Sequence, residues 1–444
     1  MLQSKQTPNT DLPTVETTSD SVQVGPFTTS PRSLLYAITI AAWLIRVGLM
    51  LVDGSLFAPI VGDELQFQGL AESLAAGRGF SLDGADVINR MPGYPALLAL
   101  LYLVTGPSLI AGRLLNSVLS ALCVLLAYQL GKQLWGQRVG LAAAALFAIN
   151  PFNIFWPQFM VSENLQIPLV SLLGVLLVGR ESTLLRAQLA GIVAALAILT
   201  HPGTVLLVAG ALLWYFIYGR SRKFPYSHFL FLVLSLLTLM SFWTVRNWLL
   251  VERFVPLTAG VEASGGGFVF WISNNEVTSQ PGEHWGRYVS FRDYDKLPDF
   301  PEYSSLPSDD PALLDRKGYE YGWRFITSQP DKVPMLLLGK LLNFWEIELS
   351  TRSSRNMVPL LGLIFWPLYL LGLVLHWRKS LQSKIVVAFI GSALLIALIF
   401  WGSARFRAPA EVFFVLCMTV GIAQVSDWVR QIAARRPPAA NEVQ

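Results

Sequence analysis

Long apolar runs separated by short polar stretches organise this chain. A membrane-crossing helix needs about 20 mostly apolar residues. Runs of that kind fall at 34–52, 108–131, 138–157, 163–180, 186–200, 203–219, 227–249, 357–376, 384–402 and 408–428. Two shorter runs, 94–105 and 335–349, read equally as interfacial, re-entrant or additional spans. The expected fold class is therefore an all-α integral membrane protein, a polytopic bundle of about 10–13 transmembrane helices with surface helices in its first loop. The polar intervals divide it into a tail at 1–32 and an N-terminal transmembrane module at 33–250, whose first loop is 53–107. A long loop at 251–356, C-terminal helices at 357–428 and a second tail at 429–444 follow.

Composition agrees with the pattern. The 444 residues are 53% hydrophobic and only 14% charged, against about 25% charged in soluble domains. A net charge of +4 is too small to suggest nucleic acid, and fits basic loops on the cytoplasmic side. Cys123 and Cys417 both lie in apolar runs and define no disulfide framework. The first thirty residues are polar and Thr/Ser-rich, which predicts a disordered tail. The first span is expected to serve as an uncleaved insertion signal.

Placing the N-terminus in the cytoplasm puts Arg32, Lys132, Arg138, Arg186, Arg220, Arg378 and Arg430 on the cytoplasmic side. The opposite face then receives 53–107, the turns at Glu163 and His201, the 250–356 segment and the Arg405–Arg407 stretch. Every unusual polar cluster falls on one side. In the long segment, "SGGG" (264–267) and the Pro-rich 298–311 predict an irregular loop. Its aromatic residues, including Trp271, Trp285, Tyr288 and Tyr294, suit either interfacial anchoring or stacking on a sugar.

The first loop holds the sharpest question. "PIVGDELQFQGLAESLAAGRGF" (59–80) opens with Asp63 and Glu64, followed by an amphipathic stripe at Phe67, Leu70, Ala71 and Leu74 that Gly77 and Gly79 end. One reading makes Asp63 an N-cap, with Gln66 completing a capping box. The other makes it a catalytic base at the membrane surface. Arg90 follows, just before Pro92 and Pro95, and suits either a lipid headgroup or a substrate phosphate.

The succession of "GDE", an amphipathic helix, "GRGF" and "NRMPGYPALLALLYLVTG" resembles the first extracytoplasmic loop of lipid-phosphate-sugar-dependent glycosyltransferases. These include the protein O-mannosyltransferases and aminoarabinose transferases, with the GT-C fold. "NPFNIFWPQFMVSENL" resembles their second acidic position, at Glu163. "LTHPGTVLLV" is similar to a segment that often reads Thr-Arg-Pro, with His201 in place of Arg. "TVRNWLLVERFVPLT" and "GFVFWISNN" resemble the Arg-Asn span end and the Gly-Asn-Asn loop, with Ser273 where Gly is usual. "ARFRAPAEVF" resembles the closing Arg-Phe-Arg-x-Pro stretch.

The resemblance implies inverting transfer of a sugar from a polyprenyl-phosphate donor to an extracytoplasmic acceptor, which can be a lipid, a glycan or a protein. It implies Asp63 as general base, with Glu64 and Glu163 orienting the acceptor or binding a cation. Arg90, Arg405, Arg407 and His201 would hold the donor phosphate, a task suited to the planar guanidinium fork. Arg246, Asn247, Asn274 and Asn275 would belong to a substrate loop, although Arg246 also suits a span-end anchor. Helix-start placement is an equal account of Glu163, and a plain turn residue an equal account of His201. No residue spacing gives a metal ligand set; at most Asp63 and Glu163 would share a divalent cation with substrate oxygens. The implied location is a bacterial plasma membrane, with both termini cytoplasmic and the active site outside. The competing readings are a lipid or solute transporter and an inactive assembly subunit of an envelope glycan pathway.

Overall fold

The computed structural model describes residues 22–24, 27–179, 181–259, 265–307, 310–345 and 357–434. Its helices in chain order are α1 (Pro31–Val52), α2 (Asp63–Ala75), α3 (Gly93–Thr105), α4 (Leu109–Trp135), α5 (Gln137–Ile149) and α6 (Pro151–Phe155). Next come α7 (Glu163–Leu177), α8 (Leu184–Thr200), α9 (Thr204–Ser221), α10 (Tyr226–Val251), α11 (Gly266–Ser273) and α12 (Phe300–Ser304). The chain finishes with α13 (Pro311–Ser328), α14 (Val333–Phe344), α15 (Met357–Lys379), α16 (Ile385–Ile399), α17 (Ala404–Arg407) and α18 (Glu411–Ala434). Strands are confined to two short hairpins, β1–β2 (Val22–Val24 with Phe27–Thr29) and β3–β4 (Ser81–Leu82 with Ala85–Asp86).

Five helices among the described residues are long and apolar enough to cross a membrane, and a bent pair makes up to six. Several expected spans are shorter than their apolar runs. The run at 138–157 breaks at Asn150–Pro151, where the chain bends by 55°, because Pro151 cannot donate to the helical ladder. The helices Glu163–Leu177, Leu184–Thr200 and Ile385–Ile399 are apolar but span only 15–17 residues.

Lipid-facing sides explain the large exposed apolar residues. On α10, Leu237, Phe242, Val245 and Leu249 are all more than half exposed. Helix association in lipid relies on close packing rather than on release of water. Small residues supply that closeness: a Cβ on Gly191 of α8 would lie 2.1 Å from the Leu232 carbonyl of α10. One on Gly372 of α15 would lie 2.0 Å from the Cys417 carbonyl of α18.

Three local expectations are corrected. The 251–356 segment is not an irregular loop: it carries α11, α13 and α14. A buried aromatic cluster including Phe268, Trp271, Tyr303 and Tyr321 holds part of it together. The N-terminal tail contains the β1–β2 hairpin, paired Val22 to Thr29; residues 1–21 lie outside the described part. Asp63 is not the N-cap of α2. Gly62, at φ 59, occupies that position without a side-chain cap, and Asp63 is the first helical residue. Its carboxylate is thereby left for other partners.

The first loop is tied down at several points. Asp83 (φ 51) and Gly84 (φ 83) make the two-residue turn of β3–β4, a turn type that Asp-Gly favours. Arg246 on α10 donates to the carbonyls of Val87 (2.6 Å) and Phe80 (3.1 Å), latching this hairpin to the bundle. Arg113 on α4 donates to the carbonyls of Leu56 (3.0 Å) and Gln158 (2.9 Å), fixing the loop's start.

Candidate active site

A cavity of about 590 Å³ opens where the first loop, the α8–α9 turn, the α16–α17 junction and the α11–α13 unit meet. One end is polar, lined by Asp63, Asn89, Arg90, Ser162, His201 and Arg405. A second wall is apolar, formed by Val205 and Leu206 of α9 with Ile396, Ile399 and Phe400 at the end of α16. Asp315, Tyr319 and Trp323 of α13 line the third side.

At the polar end Asp63 is held between two guanidiniums. Arg90 donates from Nη2 to Oδ1 at 2.8 Å, and Arg405 donates from Nη1 to Oδ2 at 2.9 Å. Burial alone would raise the Asp63 pKa, but Arg90 and Arg405 outweigh it and hold the carboxyl down to about 2. Arg90 is itself fixed by a 2.6 Å bond from Nε to Gln66 Oε1 and by the Phe67 ring, 5.5 Å below its guanidinium. Gln66, one turn after Asp63, thus serves Arg90 and not the helix start.

Arg405 is aimed by its own helix start and by Glu163. Ser403 Oγ accepts from the Arg405 backbone N–H at 3.1 Å, setting the short α17. The Arg405 Nε and Nη2 donate to the two oxygens of Glu163, which is only 1% exposed at the first residue of α7. Glu163 therefore lies behind Arg405 and positions it. The imidazole of His201 is held down to about 4 by burial, the Glu163 carboxylate opposing this. Its Nδ1 accepts from the Gly203 N–H at 3.1 Å, which leaves the proton of the neutral ring on Nε2.

The other expected site residues are placed elsewhere. Glu64 accepts from the backbone N–H groups of Met160 (2.6 Å) and Val61 (3.1 Å), joining two loops beneath the cavity. Arg407 donates to Glu411 at 3.3 Å and stacks over Phe152 at 5.3 Å. Residues two apart on a helix do not share a face, so Arg405 and Arg407 cannot form one clamp. Asn247, fully buried, donates to the carbonyls of Val255 (3.0 Å) and Leu257 (3.3 Å) after α10. Asn274 donates to the Ile399 carbonyl at 2.9 Å, and Asn275 closes a turn with Thr278. These three shape the backbone around the site; they do not line the cavity.

Several cavity residues were not anticipated from sequence. Asn89 and Ser162 adjoin Arg90 and Glu163, and adjacency was the available signal. Asp315, Tyr319 and Trp323 sit four residues apart on α13, a helical spacing that was legible had 311–328 been read as a helix. Among the described residues no group of three or more His, Cys, Asp or Glu could hold a metal ion. Arg405 occupies the place between Asp63 and Glu163 that a shared cation would need.

Comparison with known proteins bears on the fold. The family model of dolichyl-phosphate-mannose-protein mannosyltransferases matches residues 89–248. No curated protein matches the sequence. The oligosaccharyltransferase of Archaeoglobus fulgidus in its apo form superposes with a TM-score of 0.50 at 12% identity. That match covers 90% of this chain and 51% of the archaeal one, so the chain spans about half its length. ArnT from Cupriavidus metallidurans bound to undecaprenyl phosphate aligns with a TM-score of 0.39 at 12% identity, over 92% of this chain and 81% of that one. The described helices, the family-model match and the archaeal superposition identify the chain as an integral membrane protein of the GT-C fold.

Proposed function

We propose that the chain is a glycosyltransferase that moves a sugar from a polyprenyl phosphate to an acceptor at the extracytoplasmic membrane surface. The observation that carries this is the Asp63 carboxylate held by Arg90 and Arg405 at the polar end of a cavity with an apolar wall. The wall of α9 and α16 suits a prenyl chain, while the polar end suits the phosphate that chain carries. The GT-C fold and the dolichyl-phosphate-mannose family match support the same substrate class.

In this reading the donor phosphate binds Arg90 and Arg405, with His201 Nε2–H as a further donor. The phosphate competes with Asp63 for both guanidiniums. As they turn to it, Asp63 loses the charges that depress its pKa and becomes a competent base. Asp63 then takes the proton of the incoming acceptor hydroxyl or amine. That atom bonds to the anomeric carbon from the face opposite the phosphate, so configuration inverts. The bond from the anomeric carbon to the phosphate oxygen breaks, and polyprenyl phosphate leaves with its new charge on the arginines. A divalent cation shared by Asp63 and Glu163 would have to displace Arg405, and the proposed steps run without one.

The test is release of free polyprenyl phosphate by purified protein offered a panel of polyprenyl-phosphate sugars with candidate lipid, glycan and peptide acceptors. Wild type should release it from one donor, and Asp63→Asn should fall by at least about a hundredfold, the usual scale for losing a general base. Release by Asp63→Asn at the wild-type rate would remove Asp63 as the base.

A further inference from the structure

The α13 side of the cavity is built with unusual closeness. A Cβ on Gly267 would lie 1.7 Å from the Asp315 backbone oxygen, and one on Gly318 would lie 2.4 Å from the Gly267 carbonyl carbon. Only glycines permit this contact between α11 and α13, which gives the "SGGG" stretch a role beyond loop punctuation. The contact brings the Gly267 N–H to Asp315 Oδ1 at 2.7 Å.

That bond makes Asp315 a cap for α11, and a cap alone would be a sufficient structural reason for it. Yet the cap uses one carboxylate oxygen. Oδ2 has no partner among the described residues, and no cation among them pairs with Asp315, although the residue lines the cavity. Burial raises its pKa, the Gly267 N–H opposing this. A carboxyl so placed gains from a ligand hydroxyl that donates to it.

Along the same flank, at i+4 and i+8, stand Tyr319 and Trp323. Tyr319 rests on Phe270 with ring centroids 5.6 Å apart. Trp323 is 60% exposed and makes no ring contact among the described residues. The buried face of α13 is carried by other residues, among them Leu314, Tyr321 and Phe325, so the core does not require Trp323. An open carboxylate oxygen beside two exposed ring faces matches the two features of a monosaccharide: hydroxyls at its edge and an apolar C–H face.

We infer that Asp315, Tyr319 and Trp323 form a subsite that binds a monosaccharide ring within the cavity. The inference rests on the glycosyltransferase reading and deepens it, because it names the residues that select the sugar. The ring belongs either to the donor or to a sugar-bearing acceptor, and these are distinguishable.

The experiment measures the affinity of full-length protein for undecaprenyl phosphate with no sugar and with mannose, glucose, galactose or arabinose attached. Octyl glycosides of the same sugars are titrated in parallel with the bare lipid phosphate present. Wild type is compared with Asp315→Asn, which keeps an oxygen to cap α11, and with Trp323→Ala, an exposed position whose loss leaves the core intact. If the donor sugar fills the subsite, both variants lose about tenfold in affinity for the sugar-bearing lipid, while bare lipid phosphate binds as before. If an acceptor sugar fills it, donor affinities hold and octyl glycoside affinity falls by about the same factor. A merely structural cap, or a tryptophan that anchors in the interface, would alter neither sugar-dependent ratio, and unchanged ratios overturn the subsite alone. Wild type that binds no undecaprenyl phosphate, bare or sugar-bearing, overturns the glycosyltransferase reading and the subsite together.

Discussion

At the residue scale the site turns on one carboxylate with two cationic partners. With Arg90 and Arg405 in place the Asp63 pKa is about 2, so in the free protein it is ionised but a weak base. Under the proposed mechanism a bound donor draws both guanidiniums away, and the pKa climbs toward the ordinary aspartate value of about 4. The carboxylate is the active form, so activity is lost as pH falls through whichever pKa applies. The acid limb of kcat/KM reports the free enzyme and that of kcat the donor complex. Asp63 should therefore produce an acid limb in kcat at a higher pH than any in kcat/KM. Coincident acid limbs in the two profiles would show that the donor does not free Asp63. The donor is a phosphodiester, which does not titrate in this range and so leaves the comparison clean.

At the element scale the functional helices are held by buried polar contacts that sequence reading could not pair. Lys340 on α14 is fully buried, and its Nζ donates to Asn274 Oδ1 (2.7 Å) and to the carbonyls of Leu398 (3.0 Å) and Ile399 (3.3 Å). These carbonyls are orphan acceptors at the C-terminus of α16, where a cation is also favoured by the helix dipole. Beyond them the chain turns through Phe400 and Trp401 to Arg405, so the lysine fixes the approach to the site. Lys340→Met should cost about 2–3 kcal/mol by leaving buried acceptors unmade, and weaken donor binding as Arg405 loosens. Thermal unfolding in detergent reads the first effect; an unchanged midpoint would mean that water replaces the ammonium. The apolar runs, the amphipathic α2 and the convergence of positions 63, 90, 163, 201 and 405 at one cavity end were legible because each is a local pattern or part of the sequence resemblance. The separation of Arg407 from Arg405 was also local, since it follows from helical spacing, yet pairing them by sequence adjacency hid it. The Lys340, Asn274 and Ile399 contact joins positions 66 and 125 residues apart along the chain, and no periodicity encodes it. The helix α13 was missed because prolines at its entry read as loop, although Pro311 sits in the first turn where proline is tolerated.

At the scale of the whole molecule the polar cavity gathers loops from both halves of the chain at one end of the bundle. Asp63 and Arg90 come from the first loop, His201 from the α8–α9 turn, Arg405 from α17 and Asp315 from the long segment before α14. The opposite helix ends carry basic residues, among them Lys132, Arg220 and Lys379, and we propose by the positive-inside rule that this end faces the cytoplasm. A lipid-borne donor fits this arrangement, because its phosphate stays at the membrane surface while its chain remains in the apolar layer beside α9 and α16. The orientation therefore has a direct consequence. A reporter fused after residue 300, between α11 and α13, should register as extracytoplasmic. A cytoplasmic signal there would put Asp63, Arg405 and Asp315 on the wrong face for an external acceptor, and the function with them, while leaving the fold untouched.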